Sequence, residues 1–195
     1  MLDGASLRAL VVGGGPVAAR KTRALLAAGA SVRVIAPSID ASLVEVEGAQ
    51  LSLIRREYES ADIGDALLVI AATSSREVNA RVAHDAKARG RLVNVADMPD
   101  EGNCTTAATH RAGDVVIAVS TGRVPGAAAR IRDCIAQRFA EPYAAAVAEL
   151  TALRSQFLAS GDRDGWRRLL DTAVDQHFCE AVDRGELASR MAAWR

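Results

Sequence analysis

The chain has 195 residues, which suits one large domain or a medium domain with an appendage. Half of the residues are hydrophobic and a quarter are charged, ample for a real core and ordinary for a soluble protein. Lys plus Arg (24) equals Asp plus Glu (24), and a net charge of zero gives no reason to expect nucleic acid or an acidic membrane as a partner.

The first element is an apolar run, Leu7 to Val12, that breaks into Gly13-Gly14-Gly15 and continues as a helical pattern from Val17 to Ala28. Strand, Gly13-x-Gly15 turn and small Ala18 form the G-x-G-x-x-A version of the dinucleotide fingerprint. Gly13 can adopt the angles of a sharp turn, Gly15 lets a pyrophosphate approach the main chain, and Ala18 lets the helix pack closely on the sheet. The unpaired amides and the positive dipole end at the helix start then face the phosphates. An isolated glycine triplet is equally compatible with an ordinary loop. Here the flanking strand and helix favour nucleotide binding.

Gly29 closes that helix, and Ser31 to Ala36 reads as a second strand stopped by Pro37. Leu51 to Ile54 is a third strand. Ala66 to Ala72 is a fourth, with the unbroken apolarity of a strand buried on both faces. Ser75 to Arg89 is a helix with Val78, Val82 and Ala86 on one stripe, and Arg91 to Val95 a fifth strand. This β-α-β alternation predicts an α/β, Rossmann-type, doubly wound parallel sheet. After the polar loop Met98 to Asn103 the pattern changes. Cys104 to Thr109 and Asp114 to Ser120 read as two strands joined by His110-Arg111-Ala112-Gly113, and Ala127 to Phe139 as a helix. Beyond Pro142 the chain reads as helical: Tyr143 to Leu158, Trp166 to Val174, Gln176 to Asp183 and Leu187 to Trp194. Phe157, Trp166, Leu169, Leu170 and Phe178 are the expected core of that part. The expected division is a nucleotide-binding domain over 1–112, a small α+β segment over 113–142 and a helical domain over 143–195.

No apolar stretch is long enough to span a bilayer, and the N-terminus lacks a basic segment followed by a hydrophobic signal core, so a cytoplasmic protein with no membrane partner is expected. Cys104, Cys134 and Cys179 are odd in number and far apart, which argues against disulfides and a thiolate metal site and predicts free, mostly buried thiols. His84, His110 and His177 are scattered, so no metal cluster is expected either.

Cofactor choice is normally read at the end of the second strand, where an acid binds the ribose of NAD and a base favours NADP. This chain has Ala36-Pro37-Ser38 there, which weakly favours NAD. Ser38 and the main chain near Pro37 can bond ribose or adenine, while Pro37 also simply ends the strand. Thr73, at the carboxyl edge of the fourth strand, lies where ligands of open α/β sheets bind. It contacts ribose or nicotinamide, or else Thr73 or Ser74 caps the next helix. Asp97, just past the fifth strand, is placed to act as a general base, although an Asp in a loop near Pro is also a common turn former. His110 reads as a solvated turn residue. Arg20, Lys21 and Arg23, and later Arg123, Arg130 and Arg132, read as solvated helix faces, the second set also suited to binding an anionic substrate with several carboxylates.

Together these motifs resemble one family. Val11-Val12-Gly13-Gly14-Gly15-x-Val17-Ala18-x-Arg20-Lys21, Leu25-Leu26-x-x-Gly29-Ala30 and Val34-x-Ala36-Pro37 are similar to the siroheme synthase N-terminal family. So are Ala71-Ala72-Thr73 with Asn79, Asn94-Val95-x-Asp97, Gly102-Asn103 and Ile117 to Gly122. The resemblance runs in order from Leu7 to Arg130. It implies NAD-dependent oxidation of precorrin-2 to sirohydrochlorin in siroheme biosynthesis, in some members with ferrochelatase activity that takes Fe²⁺ as substrate. It also implies a homodimer in which the segment after the nucleotide-binding unit, 113–142, is the dimerisation segment. The family aspartate falls on Asp97, the turn residues that contact NAD fall on Pro16 and Val17, and the second-strand contact falls on Pro37 and Ser38. The family stretch Ser-Thr-Gly-Gly-x-Ser-Pro is here Ser120-Thr121-Gly122-Arg123-Val124-Pro125-Gly126, so Pro125 replaces the later serine. At this length a stand-alone dehydrogenase without the methyltransferase of some relatives is expected. A non-catalytic NAD-sensing module and a chelatase with a vestigial nucleotide fold are the alternatives.

Overall fold

A computed structural model describes residues 4–46, 48–122 and 124–194. The chain divides into two compact units, Met1–Thr106 and Ala107–Arg195. The first unit carries β1 (Arg8–Val12), α1 (Pro16–Ala27), β2 (Ser31–Ile35), α2 (Ala41–Val44), β3 (Leu51–Ile54), β4 (Leu68–Ala71), α3 (Arg76–Ala88) and β5 (Leu92–Val95). Its five strands form one wholly parallel sheet in the order β3-β2-β1-β4-β5. This is the Rossmann-type sheet expected from the sequence, and its order reverses between β1 and β4.

Alternation along the strands sends side chains to two cores. Leu10, Val12, Val69 and Val93 pack with Val82, Ala83 and Ala86 of α3 on one face. Ala9, Val11, Val34 and Ile70 pack with Ala18 and Ala19 of α1 on the other. Strands buried on both faces must be apolar throughout, which is why β1 and β4 read as continuous hydrophobic runs. Ala18 and Ala19 are at most 1% exposed, so the helix lies as close to the sheet as the small residues permit.

Helix α1 begins at Pro16, whose missing N–H and preset φ suit the first helical position. It ends before Gly29, which takes φ +86°. The short helix α2 had no counterpart in the sequence reading; Asp40 caps it by accepting from the Ser42 amide at 2.9 Å.

In the second unit β6 (Ala108–Ala112) pairs antiparallel with β7 (Val115–Val119). The expected first strand, Cys104 to Thr109, is therefore too early. His110, Arg111 and Ala112 belong to β6, and the turn is only Gly113-Asp114, with glycine first at φ +56°. Two-residue hairpin turns favour glycine at such a position, and the strand alternation continues through the residues expected to form a longer loop. The division of the chain falls after Thr106, and the expected boundary at Ala112 would separate the two paired strands.

Helices α4 (Pro125–Arg138), α5 (Glu141–Ser160), α6 (Arg163–Ala173), α7 (Phe178–Asp183) and α8 (Leu187–Met191) complete the unit. Leu169 and Met191 are fully buried there, with Phe157, Trp166 and Phe178 packed around the same cluster. Tyr143, 3% exposed, donates its hydroxyl to Asp183 at 2.8 Å, and Arg138 holds the other Asp183 oxygen at 2.7 Å. Burial first, and then the Asp183 hydrogen bond, push the Tyr143 phenol up to about 12. An unfolded tyrosine ionises near pH 10, so this contribution to stability is intact below about pH 10 and is lost as pH climbs toward the folded value. Urea midpoints measured across that range should fall more steeply for the native chain than for Tyr143→Phe; parallel curves would exclude the effect.

Candidate active site

The glycine turn is built by three different steric demands. Gly13 takes φ +125°, and a Cβ there would stand 2.2 Å from the Ala72 carbonyl oxygen. Gly14 has an ordinary φ, but a Cβ would stand 2.0 Å from the Ser38 carbonyl oxygen. Gly15 meets nothing within 4 Å. The first two glycines thus let the turn nest against the ends of β4 and β2, and the third leaves an open approach to the main chain. The amides of Gly15, Val17 and Ala18 find no acceptor among the described residues and stand at the start of α1. Three free amides at a helix start, with the dipole behind them, make an anion cradle.

A cleft of about 570 Å³ opens beyond this turn, at the carboxyl edge where the strand order reverses. Gly13, Gly15, Pro37, Ser38 and Thr73 line it. Pro16 and Val17 start α1 at its rim without lining it, and Asp97 also lies outside the lining. The far wall comes from residues the sequence reading did not assign: Glu57 and Tyr58 after β3, and Glu77 and Arg81 on α3. Tyr58 donates to Asp85 at 2.8 Å, while Arg81 donates to the Tyr58 carbonyl at 2.9 Å and stands 5.4 Å from its ring centroid. Burial, then the hydrogen bond to Asp85, pushes the Tyr58 phenol well above its ordinary range, so it remains neutral.

Asp97 joins the cleft through one buried side chain. Asn79, 1% exposed, donates Nδ2–H to Asp97 Oδ1 at 3.0 Å and accepts the Thr73 amide at 3.0 Å on Oδ1. The Thr73 hydroxyl lies 2.8 Å from the same Asn79 oxygen and 3.1 Å from the Ser75 amide it accepts. The cap of α3 is Ser75, whose side chain accepts from Val78, rather than Thr73 or Ser74. Asp97 itself is exposed, and its second carboxylate oxygen has no hydrogen bond among the described residues.

The scattered candidates fall elsewhere. His110 is half-buried in β6 with Nε2 2.5 Å from the Phe139 carbonyl, not a solvated turn residue, because its strand runs further than expected. Lys21 is half-buried and donates to Thr106 at 3.1 Å; burial, and secondly the Arg20 charge, lower its pKa. Arg23 bonds Ser42, Arg132 pairs with Asp133, Arg130 is exposed, and Arg123 lies outside the described residues. Cys134 is exposed and Cys104 and Cys179 are half-buried, all three free, so the thiols are less buried than expected. No cluster of metal-ligating side chains occurs among the described residues, and no described helix is long and apolar enough to cross a membrane.

A family model described as putative NAD(P)-binding matches residues 1–108. The chain belongs to that family. The match covers β1 through β5 and every cleft residue of this NAD(P)-binding unit. Siroheme synthase from Chromobacterium violaceum is 36% identical over 188 residues, covering 95% of this chain and 40% of that protein. Siroheme synthase from Pseudomonas fluorescens is 46% identical over 116 residues, 59% of this chain and 25% of that protein. The chain therefore spans about 40% of the length of the first of these curated relatives. Among solved structures, SirC, precorrin-2 dehydrogenase, matches with a TM-score of 0.77 at 27% identity over 98% of each chain. The site residues fit a dinucleotide: a helix start with free amides and no Cβ in the way, opening into a cleft of dinucleotide dimensions.

Proposed function

We propose that this chain is an NAD-dependent precorrin-2 dehydrogenase, forming sirohydrochlorin in siroheme biosynthesis. The observation that carries the reading is the buried Thr73–Asn79–Asp97 connection, which ties one exposed carboxylate to a cleft of NAD(P)-binding type. The likeness to SirC over nearly the whole of both chains supports the same reading. When bound, NAD supplies the hydride acceptor. The amides of Gly15 and Val17 hold the pyrophosphate, with Gly13 shaping the turn and Pro16 starting the helix without an N–H of its own. Pro37 and Ser38 border the ribose and adenine end, and Thr73 the nicotinamide end. Glu57 and Glu77 outnumber Arg81 in the cleft lining, and this negative balance disfavours the extra phosphate of NADP. The free oxygen of Asp97 receives the proton that the tetrapyrrole loses as it is oxidised. One hydride and one proton leave, so precorrin-2 and NAD⁺ become sirohydrochlorin, NADH and H⁺.

The partner is a second copy of the chain. The β6–β7 sheet has only two strands, and Ile131 on α4 is 45% exposed, which suits an apolar surface covered in a homodimer. The chain is read as cytoplasmic. Iron insertion is the second reading, favoured by the siroheme synthase relatives; Fe²⁺ is then a substrate, with Asp97 taking pyrrole protons. Supplying precorrin-2 with and without NAD, then adding Fe²⁺ to the product, separates these readings. Oxidation that depends on NAD is expected. NAD binding without turnover would favour a sensing module, and iron insertion with no NAD-dependent oxidation would favour a chelatase.

A further inference from the structure

We propose that Asn79 is the positioning residue of this site: it aims the Asp97 carboxylate and locks it to the cleft wall at Thr73. The inference rests on the role given to Asp97 above. Both polar atoms of Asn79 have partners. Its oxygen accepts the Thr73 amide at 3.0 Å and lies 2.8 Å from the Thr73 hydroxyl, and its nitrogen donates to the Thr73 carbonyl at 3.2 Å and to Asp97 at 3.0 Å. The Thr73 backbone fixes which way the amide points, since a turned amide would set N–H against N–H and oxygen against carbonyl. Only a donor can then face Asp97, and only an acceptor can answer it. Asparagine is the side chain that supplies acceptor and donor at this distance from one helical position.

The rest of the environment makes the arrangement rigid. Asn79 is 1% exposed on α3, beside the fully buried Val82, so its amide cannot exchange these partners for water. Asp97, by contrast, is exposed and hangs from this one hydrogen bond, which leaves its other oxygen open. A polar group buried this deeply in an apolar helix face costs stability unless its bonds are met. Here they are met by the two residues that border the reaction, one lining the cleft and one bearing the carboxylate.

Two measurements test this. In the amide spectrum of the native chain, the Asn79 side chain should show a low-field proton from its bond to a carboxylate, and Asp97→Ala should move it upfield. An Asn79 signal identical in both proteins would overturn the inference, whether or not the chain proves to be a dehydrogenase. In Asn79→Asp the oxygen that accepts the Thr73 amide is kept, while the nitrogen that donates to Asp97 and to the Thr73 carbonyl becomes a second carboxylate oxygen. Turnover should fall about 10- to 100-fold, as for a misplaced catalytic group, with NAD affinity changed less than about threefold. Unchanged turnover, or turnover and NAD affinity falling together, would overturn it. Should that variant fail to fold, the spectrum alone decides. A native chain that binds NAD but never oxidises precorrin-2 would contradict the proposed activity and leave the Asn79–Asp97 link to be judged by the spectrum.

Discussion

Replacing Asp97 by alanine is expected to lower precorrin-2 oxidation by about 10²- to 10⁴-fold, the range for loss of a general base. The fold should survive the change at a modest cost. Asp97 is exposed and lies after β5 rather than within it, but its removal leaves the buried Asn79 Nδ2–H without this partner, so stability should fall by about 1–3 kcal/mol with the fold kept. NAD affinity should also hold, since Asp97 does not line the cleft. The combination of lost turnover, retained NAD binding and a retained fold is what assigns chemistry rather than structure to the carboxylate. Oxidation within about threefold of native, a change of under about 1 kcal/mol in the barrier, would remove Asp97 from the mechanism.

Alanine at Gly13 and at Gly15 should behave in opposite ways. At Gly13 the backbone has φ +125°, which costs a residue with a Cβ about 1–3 kcal/mol, and that Cβ would meet the Ala72 carbonyl oxygen at 2.2 Å. Since backbone must move, both thermal stability and NAD affinity should fall. Gly15→Ala introduces a methyl with nothing within 4 Å, so stability should be unchanged. NAD affinity should nevertheless drop about tenfold or more, or about 1.4 kcal/mol, because the methyl occupies the approach to the free amides. Native affinity in a stable Gly15→Ala would show that the pyrophosphate does not come to this turn. Calorimetric titration with NAD and a thermal melt of each variant decide the matter.

Much of this site could be read from local pattern. The turn residues Gly13 and Gly15, the strand ends at Pro37 and Thr73, and the position of Asp97 after β5 all depend on the sequential β-α-β rhythm, which hydrophobic periodicity reports well. What escaped that reading depends on contacts between distant segments. Gly14 looked like the free position of the motif, yet its lack of a Cβ is demanded by Ser38, a neighbour only once β1 and β2 pair. Tyr58 and Arg81 form the far wall through a contact across 23 positions of sequence. Asn79 was visible only as a residue shared with a family; its meaning came from two partners on different strand ends. A buried asparagine on an otherwise apolar helix stripe was the available signal, since such a group must find partners. In the second unit the error was of another kind. Strand β6 alternates half-buried and exposed residues, Ala108-Thr109-His110-Arg111-Ala112, and polar residues at its exposed positions look in sequence like a loop.

The central claim is that the cleft and Asp97 together make one oxidation reaction. Anaerobic mixing of the chain with precorrin-2 and limiting NAD, while nicotinamide and tetrapyrrole absorbance are followed in the same sample, tests it most directly. NADH and sirohydrochlorin should appear in equal amounts and stop when NAD is exhausted. Sirohydrochlorin formed without NADH, or NAD bound with precorrin-2 left unoxidised, would contradict the account.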